Sequence, residues 1–560
     1  MEILIVFIGL FLFLVVKGFF DRKNAKARLI TNLKASWGMV PQNEYSEEKY
    51  RSLQFYYHTK VVNKQEKQVQ IDEITWHDLN LDYLFSMVNA TNSSMGEEYL
   101  WALLHVLKLH PEELSERERV ITFFQEHPEE RLRLQVAFAM IGRNKKYSVY
   151  EYMSQMENVK QERNLIHYLI LALMLAGLAI LPLSGGIGGG ILVFCVVFNI
   201  ITYYKRKGET APYFTALSYI LRMLEYAKKV GKEDIAELQE YTISLKEKTE
   251  RLQTLLKGVP VVAPQNVTGD MLSMLLDYVR IIFHTDLIRF NQMMKKYIQE
   301  REAIFSVFET IGFMDAMCAV ASFRDMLPYS AKPSFCLGKH VSAEGLYHPF
   351  LTEPVPADIQ TEKSVLVTGS NASGKSTFLK SVAINAILAQ TIHTVCAKSY
   401  HADYFRVMTS MALTDDILGG ESYYIVEIRS LMRILSAAEK NGAPVLCFVD
   451  EVLRGTNTVE RIAASSRILC SIAEKNALIF AATHDIELTY MLENIFENYH
   501  FEEHIKENEI FFDYELKKGR STTKNAIRLL SLMGYPERIV AEAEETAAYF
   551  TESGEWRKIK

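Results

Sequence analysis

The chain has 560 residues, 49% hydrophobic and 23% charged, an ordinary globular composition with material for three or four domains. A formal net charge of −6 excludes a surface coated in Lys and Arg, so any nucleic-acid contact would have to rest on a local patch. Six cysteines, Cys195, Cys318, Cys336, Cys396, Cys447 and Cys470, stand far apart without paired or Cys/His ligand spacing. They predict buried thiols of a reducing compartment and no disulfide or zinc framework.

Residues 3–20 form an apolar run broken only by Lys17, which can snorkel to an interface, and the basic DRKNAKAR that follows predicts a retained anchor with the chain entering the cytosol. Residues 29 to about 160 read as mostly helical, with Asn92 or Ser93 as the cap of an apolar-periodic helix. Residues 165–204 contain no Asp, Glu, Lys or Arg, enough for two spans of ~20 residues. The stretch LSGGIGGG, residues 183–190, predicts the turn of a helical hairpin, and Lys160, Arg163 and Lys205 to Lys207 put both its ends in the cytosol. Residues 209–257 and 269–327 then read as two long amphipathic arms, the first broken near Gly231, joined by the short KGVPVVAPQNVTG turn.

From about residue 335 the texture changes to β-branched runs alternating with helices, which predicts a parallel sheet covered on both faces. Gly369-Ser370-Asn371-Ala372-Ser373-Gly374-Lys375-Ser376 matches GxxxxGK[ST], follows the strand VLVTG and opens a helix. Its amides can wrap phosphates at the helix amino end, Lys375 can reach the β- and γ-phosphates, and the Ser376 hydroxyl can face Mg2+. Asp450 and Glu451 end the next apolar strand, as a metal-facing acid and an adjacent base would, and His484 follows the strand LIFAATHD, in reach of a γ-phosphate.

The ordered set of this phosphate loop, DDILGGESYYIVEIRSLMRIL (415–435), DEVLRGTNT and ATHD resembles the MutS family of ABC-type ATPases. The resemblance extends upstream through HVSAEGLYHPFL and downstream through residues 511–545, which are similar to that family's dimerising closing helices. Residues 78–104 and 308–323 are similar, more weakly, to its helical core and levers. The implied fold is an α/β P-loop ATPase domain (335–560) preceded by an all-α core and lever region that carries transmembrane helices. By resemblance, ATP and Mg2+ are the ligands. Residues 369–377, Thr377 included, hold the phosphates, and Asn371 assists γ-phosphate sensing. Ser376 and Asp450 hold the metal; Glu451, His484 and Lys375 are catalytic. Ser422 completes the site of the partner in a homodimer. The mismatch-reading, connector and clamp domains of MutS have no counterpart segment, and Phe124-Gln125-Glu126 spells the mismatch wedge only by chance inside a helix. Pro354 stands where the family often stacks an aromatic on adenine. The expectation is therefore a multi-pass protein of a bacterial-type plasma membrane with its ATPase in the cytosol. Two outputs stay open: binding of mismatched or branched DNA, or work on membrane lipid or a protein partner.

Overall fold

A computed structural model describes residues 17, 20–21, 23–62, 68–144, 147–158, 163–256, 278–370, 373–411, 423–454, 456–506, 509–521, 527, 530–531, 533–556 and 558–559. Contacts divide the chain into two interleaved units: Met1–Glu66 with Ser86–Leu103 and Arg119–Met326, and Lys67–Phe85 with Leu104–Glu118 and Leu327–Lys560.

The first unit is helical. Helix α1 (Leu165–Ile180) and helix α2 (Gly185–Val230) form the predicted hairpin. The turn, however, is shorter than the glycine-rich stretch suggested. Leu183 and Ser184 close it by donating their N–H groups to the Ile180 carbonyl at 2.9 and 2.8 Å, and residues 185–190 already belong to α2. Gly188 serves close approach: a Cβ there would lie 2.7 Å from the Leu181 backbone and 2.9 Å from the Gly177 carbonyl, whereas Gly185, Gly186, Gly189 and Gly190 face open space. Helix α2 runs on for 46 residues, about 69 Å at 1.5 Å per residue, so the second hairpin limb and the start of the first arm are one rod. It stops where Gly231 caps Ala227. The rest of the predicted arms is broken into shorter helices, and the KGVPVVAPQNVTG turn lies outside the described residues.

Among the described residues, two helices of this unit are apolar enough to cross a bilayer by length and composition. In Gly185–Gly208 only 17% of the apolar window is buried, and Leu183, Ile187, Val193, Phe194 and Ile201 project from the hairpin into open space. Helix α3 (Arg301–Met326) is 72% buried and is a core helix. Its Asp315 accepts hydrogen bonds from the Asn92 and Ser93 amides at 3.0 and 2.8 Å and from the Ser93 hydroxyl at 2.6 Å. Ser93, one of the two predicted caps, in turn accepts from the Gly96 amide at 3.1 Å. Burial pushes the Asp315 carboxyl up to about 6. The spelled wedge is confirmed as helical: Phe124 is fully buried in the helix Pro111–Glu126.

The second unit is built on a six-stranded sheet: β1 (Ser364–Thr368), β2 (Arg406–Ser410), β3 (Val445–Asp450), β4 (Ala477–Ala482), β5 (Phe496–His500) and β6 (Lys517–Lys518), in the order β6-β5-β1-β4-β3-β2. The first five strands are parallel, as their continuous apolar runs predict; β6 is antiparallel, which makes the sheet mixed. Val445, Cys447, Val449 and Ile479 face helices α5 (Tyr423–Ala438) and α6 (Thr458–Ala473) through Leu431, Ile434, Leu469 and Ile472. Helix α4 (Lys375–Ile392) covers the sheet through Phe378, whose ring lies 6.4 Å from that of Phe480. The edge strand β2 is closed off by a segment far upstream: Asp78 accepts from the Thr409 hydroxyl at 2.6 Å and the Met411 amide at 2.8 Å. That docking is why residues 67–85 belong to this unit. A separate four-stranded sheet places Ser399–Ala402 between Ser334–Phe335 and Val341–Leu346, with Ala357–Thr361 outermost. Residues 511–545, expected as closing helices, begin in strands and are helical at the described residues 527, 530 and 531 and again from Glu537 to Ser553.

Candidate active site

Strand β1 is buried along its whole length and ends at Gly369, whose φ of +147° leads into the loop; Gly374, with φ +108°, starts α4. A Cβ on Gly369 would lie 2.8 Å from Ser373 Oγ and 2.9 Å from the Phe501 carbonyl, so glycine is a steric requirement there. Asn371 and Ala372 lie outside the described residues, as does Ser422.

The loop is flanked by the ends of three parallel strands, β1, β3 and β4, and this register brings together the residues selected by motif. Asp450 ends β3 opposite Ala482 of β4, and the Ser376 hydroxyl at the start of α4 hydrogen-bonds its carboxylate. Glu451 follows with φ +55°, its amide donating to the Ala482 carbonyl at 2.9 Å. Such a conformation is strained for a residue with a Cβ and persists where surrounding contacts over-determine it. His484 Nε2 lies 3.0 Å from Glu451 Oε1 and 3.4 Å from Lys375 Nζ. Lys375 Nζ donates to the carbonyls of Gly369 and Ser370 at 2.8 and 2.7 Å.

Burial holds Lys375 below the ordinary lysine value, against the pull of Asp450, Glu451 and Glu503. Burial also raises Asp450, against the Ser376 hydrogen bond. His484 sits below the ordinary histidine value through burial and the Lys375 charge, partly offset by Glu451. Each of these charges has lost water in a way that a bound anion, or a cation beside Asp450, would compensate. Ser373 Oγ is buried without a hydrogen-bond partner inside the loop. These features fit a phosphate chain at the α4 amino terminus and a divalent cation between the Ser376 hydroxyl and Asp450. The surrounding cavity, about 620 Å³, continues from Lys375 and Thr377 to an apolar wall that includes Leu351, Val355, Phe501 and Tyr514.

Several residues here were not singled out from sequence. Arg454 ion-pairs with Glu451, its Nη2 lying 3.0 Å from Glu451 Oε1. Arg461 forks onto Asp485 at 3.0 and 2.5 Å and so anchors the strand end that carries His484. Glu427, raised by burial, accepts from the Leu453 amide, and Glu503 accepts from the Ser370 hydroxyl. Arg454 lies inside the DEVLRGTNT stretch and could have been read there; Glu503 carries no local signal. The cysteine expectation also needs correction: Cys195, Cys318, Cys396 and Cys447 are buried, but Cys470 is half-buried and Cys336 is exposed, because Cys336 sits in a surface loop outside the apolar runs.

Residues 365–551 match the family model of MutS domain V. The chain is 32% identical over 275 residues to the DNA mismatch repair protein MutS of Natronomonas pharaonis, covering 46% of this chain and 31% of that protein. It is 29% identical over 259 residues to the DNA mismatch repair protein MutS of Thermus aquaticus, covering 45% and 31%. To the DNA mismatch repair protein MutS 2 of Haloarcula marismortui it is 34% identical over 195 residues, covering 34% and 20%. The chain thus spans no more than about a third of the length of these curated relatives.

Proposed function

From the match of residues 365–551 to MutS domain V, we propose that this chain is a membrane-anchored ATPase of the MutS family working as a homodimer. The observation that carries the reading is the convergence of Lys375, Ser376, Asp450 and Glu451 on one cavity, with His484 set against Glu451 and Lys375. Residues 369–377, with Asn371 and Ala372 among them, hold the phosphates of ATP through backbone amides, and Lys375 adds a localised positive charge. Ser376 and Asp450 would hold Mg2+, which would supply positive charge to the transferring phosphoryl group. Glu451 orients a water and takes its proton, His484 steadies the Glu451 carboxylate and faces the γ-phosphate, and Arg454 ion-pairs with the same carboxylate. Ser422 completes the partner subunit's site, which makes the dimer a condition of turnover.

The exposed aliphatic face of α1 and the first half of α2 supports the membrane reading, since contiguous apolar surface of this kind is unusual on a soluble monomer. Gly185–Gly208 is about 36 Å long, sufficient for a hydrocarbon core of ~30 Å; α1, at about 24 Å, is short for one. Of the proposed anchor at residues 3–20, only Lys17 and Phe20 are described. The protein is placed by this reading in a bacterial-type plasma membrane, with the ATPase facing the cytosol.

The names of the relatives favour DNA, mismatched or branched, as the object of the ATP cycle. The continuity of α2 favours a second reading, work on lipid or a membrane protein, because a rod shared by the apolar limb and the arm tilts as one. The deciding experiment is ATP hydrolysis by the full chain in nanodiscs, with and without linear and branched DNA, across a salt series. Stimulation that fades as salt rises supports DNA as ligand. Basal turnover indifferent to DNA but dependent on lipid supports the second reading, and absence of turnover overturns the ATPase itself.

A further inference from the structure

In the four-stranded sheet, the strand Ser399–Ala402 lies between Ser334–Phe335 and Val341–Leu346, and residues 336–340 join those two flanking strands. The connection must therefore pass over the end of the central strand. His401 is in register with Ser334 on one side and Ser342 on the other, on the exposed face of a strand whose Tyr400 and Ala402 are buried. Cys336 and His340 stand at the two ends of the crossing loop, and both meet His401.

We propose that Cys336, His340 and His401 form a zinc site. Cys336 Sγ lies 3.2 Å from His401 Nε2 and 3.5 Å from His340 Nε2, and one ligand atom from each residue falls within 4.8 Å of the others. Tetrahedral zinc, with bonds of about 2.3 Å to sulfur and about 2.0–2.1 Å to nitrogen, sets sulfur-to-nitrogen edges of roughly 3.5 Å. The two sulfur-to-nitrogen distances thus already lie close to the edges of one coordination shell.

The remaining ring nitrogens are engaged as ligating histidines require. His340 Nδ1 lies 2.5 Å from the Gly338 carbonyl, which only accepts, so Nδ1 carries the proton and Nε2 keeps its lone pair. His401 Nδ1 lies 2.7 Å from the Ser334 hydroxyl. Asp403 braces the loop: it accepts from the Gly338 amide at 3.0 Å, and its own amide donates to the His340 carbonyl at 3.2 Å. One thiolate and two imidazoles form a borderline-soft donor set that selects zinc over magnesium. Cys336 and His401 are exposed, so the fourth position is left to water or to a donor from solution. Binding transfers the thiol proton to solvent as the sulfur–metal bond forms, which makes affinity rise with pH.

The test uses the full chain, stripped with EDTA and titrated with Co2+ as spectroscopic probe and Zn2+ as competitor. One equivalent of cobalt should give a thiolate-to-metal charge-transfer band that zinc removes. Cys336→Ser should abolish the band, and His340→Gln or His401→Gln should weaken cobalt binding by at least about tenfold. Cys470→Ser, at the other partly accessible thiol, should leave the band intact. The metal-free thermal midpoints of the variants, matched to that of the metal-free parent, exclude misfolding as the cause of any loss. No band at stoichiometric cobalt, or a band that survives Cys336→Ser, overturns the site and leaves a thiol hydrogen-bonded to two imidazoles.

Discussion

The nucleotide cleft and the helical hairpin depart from the usual distribution of polar and apolar groups in opposite directions. In the cleft, a lysine, two carboxylates and a histidine crowd together partly out of water; on the hairpin, leucine, isoleucine, valine and phenylalanine side chains face outward. Neither arrangement is favourable for the chain alone. Under the proposed function each would be matched from outside, by phosphate and a divalent cation in one case and by hydrocarbon in the other. Helix α3 marks the contrast within a single unit, being long and apolar enough to cross a bilayer like the hairpin limb, yet mostly buried around an internally satisfied Asp315.

The largest effect is expected in the cleft. Lys375→Ala should remove the charge aimed at the phosphates and weaken ATP binding by about a hundredfold or more, a change of roughly 3 kcal/mol, read by equilibrium binding of a fluorescent nucleotide. Retained affinity would mean that the buried cation answers to Glu503 and the loop carbonyls, not to a ligand. Glu451→Gln should still bind ATP while turnover falls by a factor on the order of 10²–10³, measured in single-turnover assays. Normal turnover would move the base elsewhere.

On the hairpin, Val193→Lys combined with Val197→Lys should cost about 2.5–3.5 kcal/mol per lysine near a bilayer centre. A lipid-borne photoreactive probe should label residues 185–208 of the parent chain, lose about tenfold of that signal in the variant, and spare α3 in both. Labelling of α3 and not of α2 would reverse the assignment of the two helices. The smallest effect returns to the cleft wall, where burial and Lys380 hold His348 down at about 4 from 6.5. Its neutral form is the one the fold accepts, so the stability it supports is complete above pH 6.5 and is lost as pH falls toward 4. His348→Asn should flatten that part of the stability profile by about 1–3 kcal/mol, read as the difference in denaturant midpoint between variant and parent.

Contiguous residues carried much of this legibly. The phosphate loop, its strand and its helix are written in one stretch because glycine placement, β-branched runs and helix caps act over a few residues, and the same holds for the charge-free span 165–204 and the Ser93 cap. Even here local reading mistook residues 185–190 for a turn, because glycine tolerates a bend but can equally admit a neighbouring helix, and only packing chooses.

What composition, spacing and motif determined, then, was a phosphate-loop motif matched by MutS domain V and the existence of an apolar hairpin. Tertiary structure decided which distant groups meet. Asp78 closes a sheet edge more than three hundred residues downstream, Glu503 reaches the Ser370 hydroxyl, and a loop crossing the end of a strand brings Cys336 and His340 to His401. It also separated two apolar helices of similar composition into one buried and one exposed. Local propensity is a property of neighbours in the chain, whereas such meetings depend on sheet order, strand register and packing, which exist only once the chain has closed on itself.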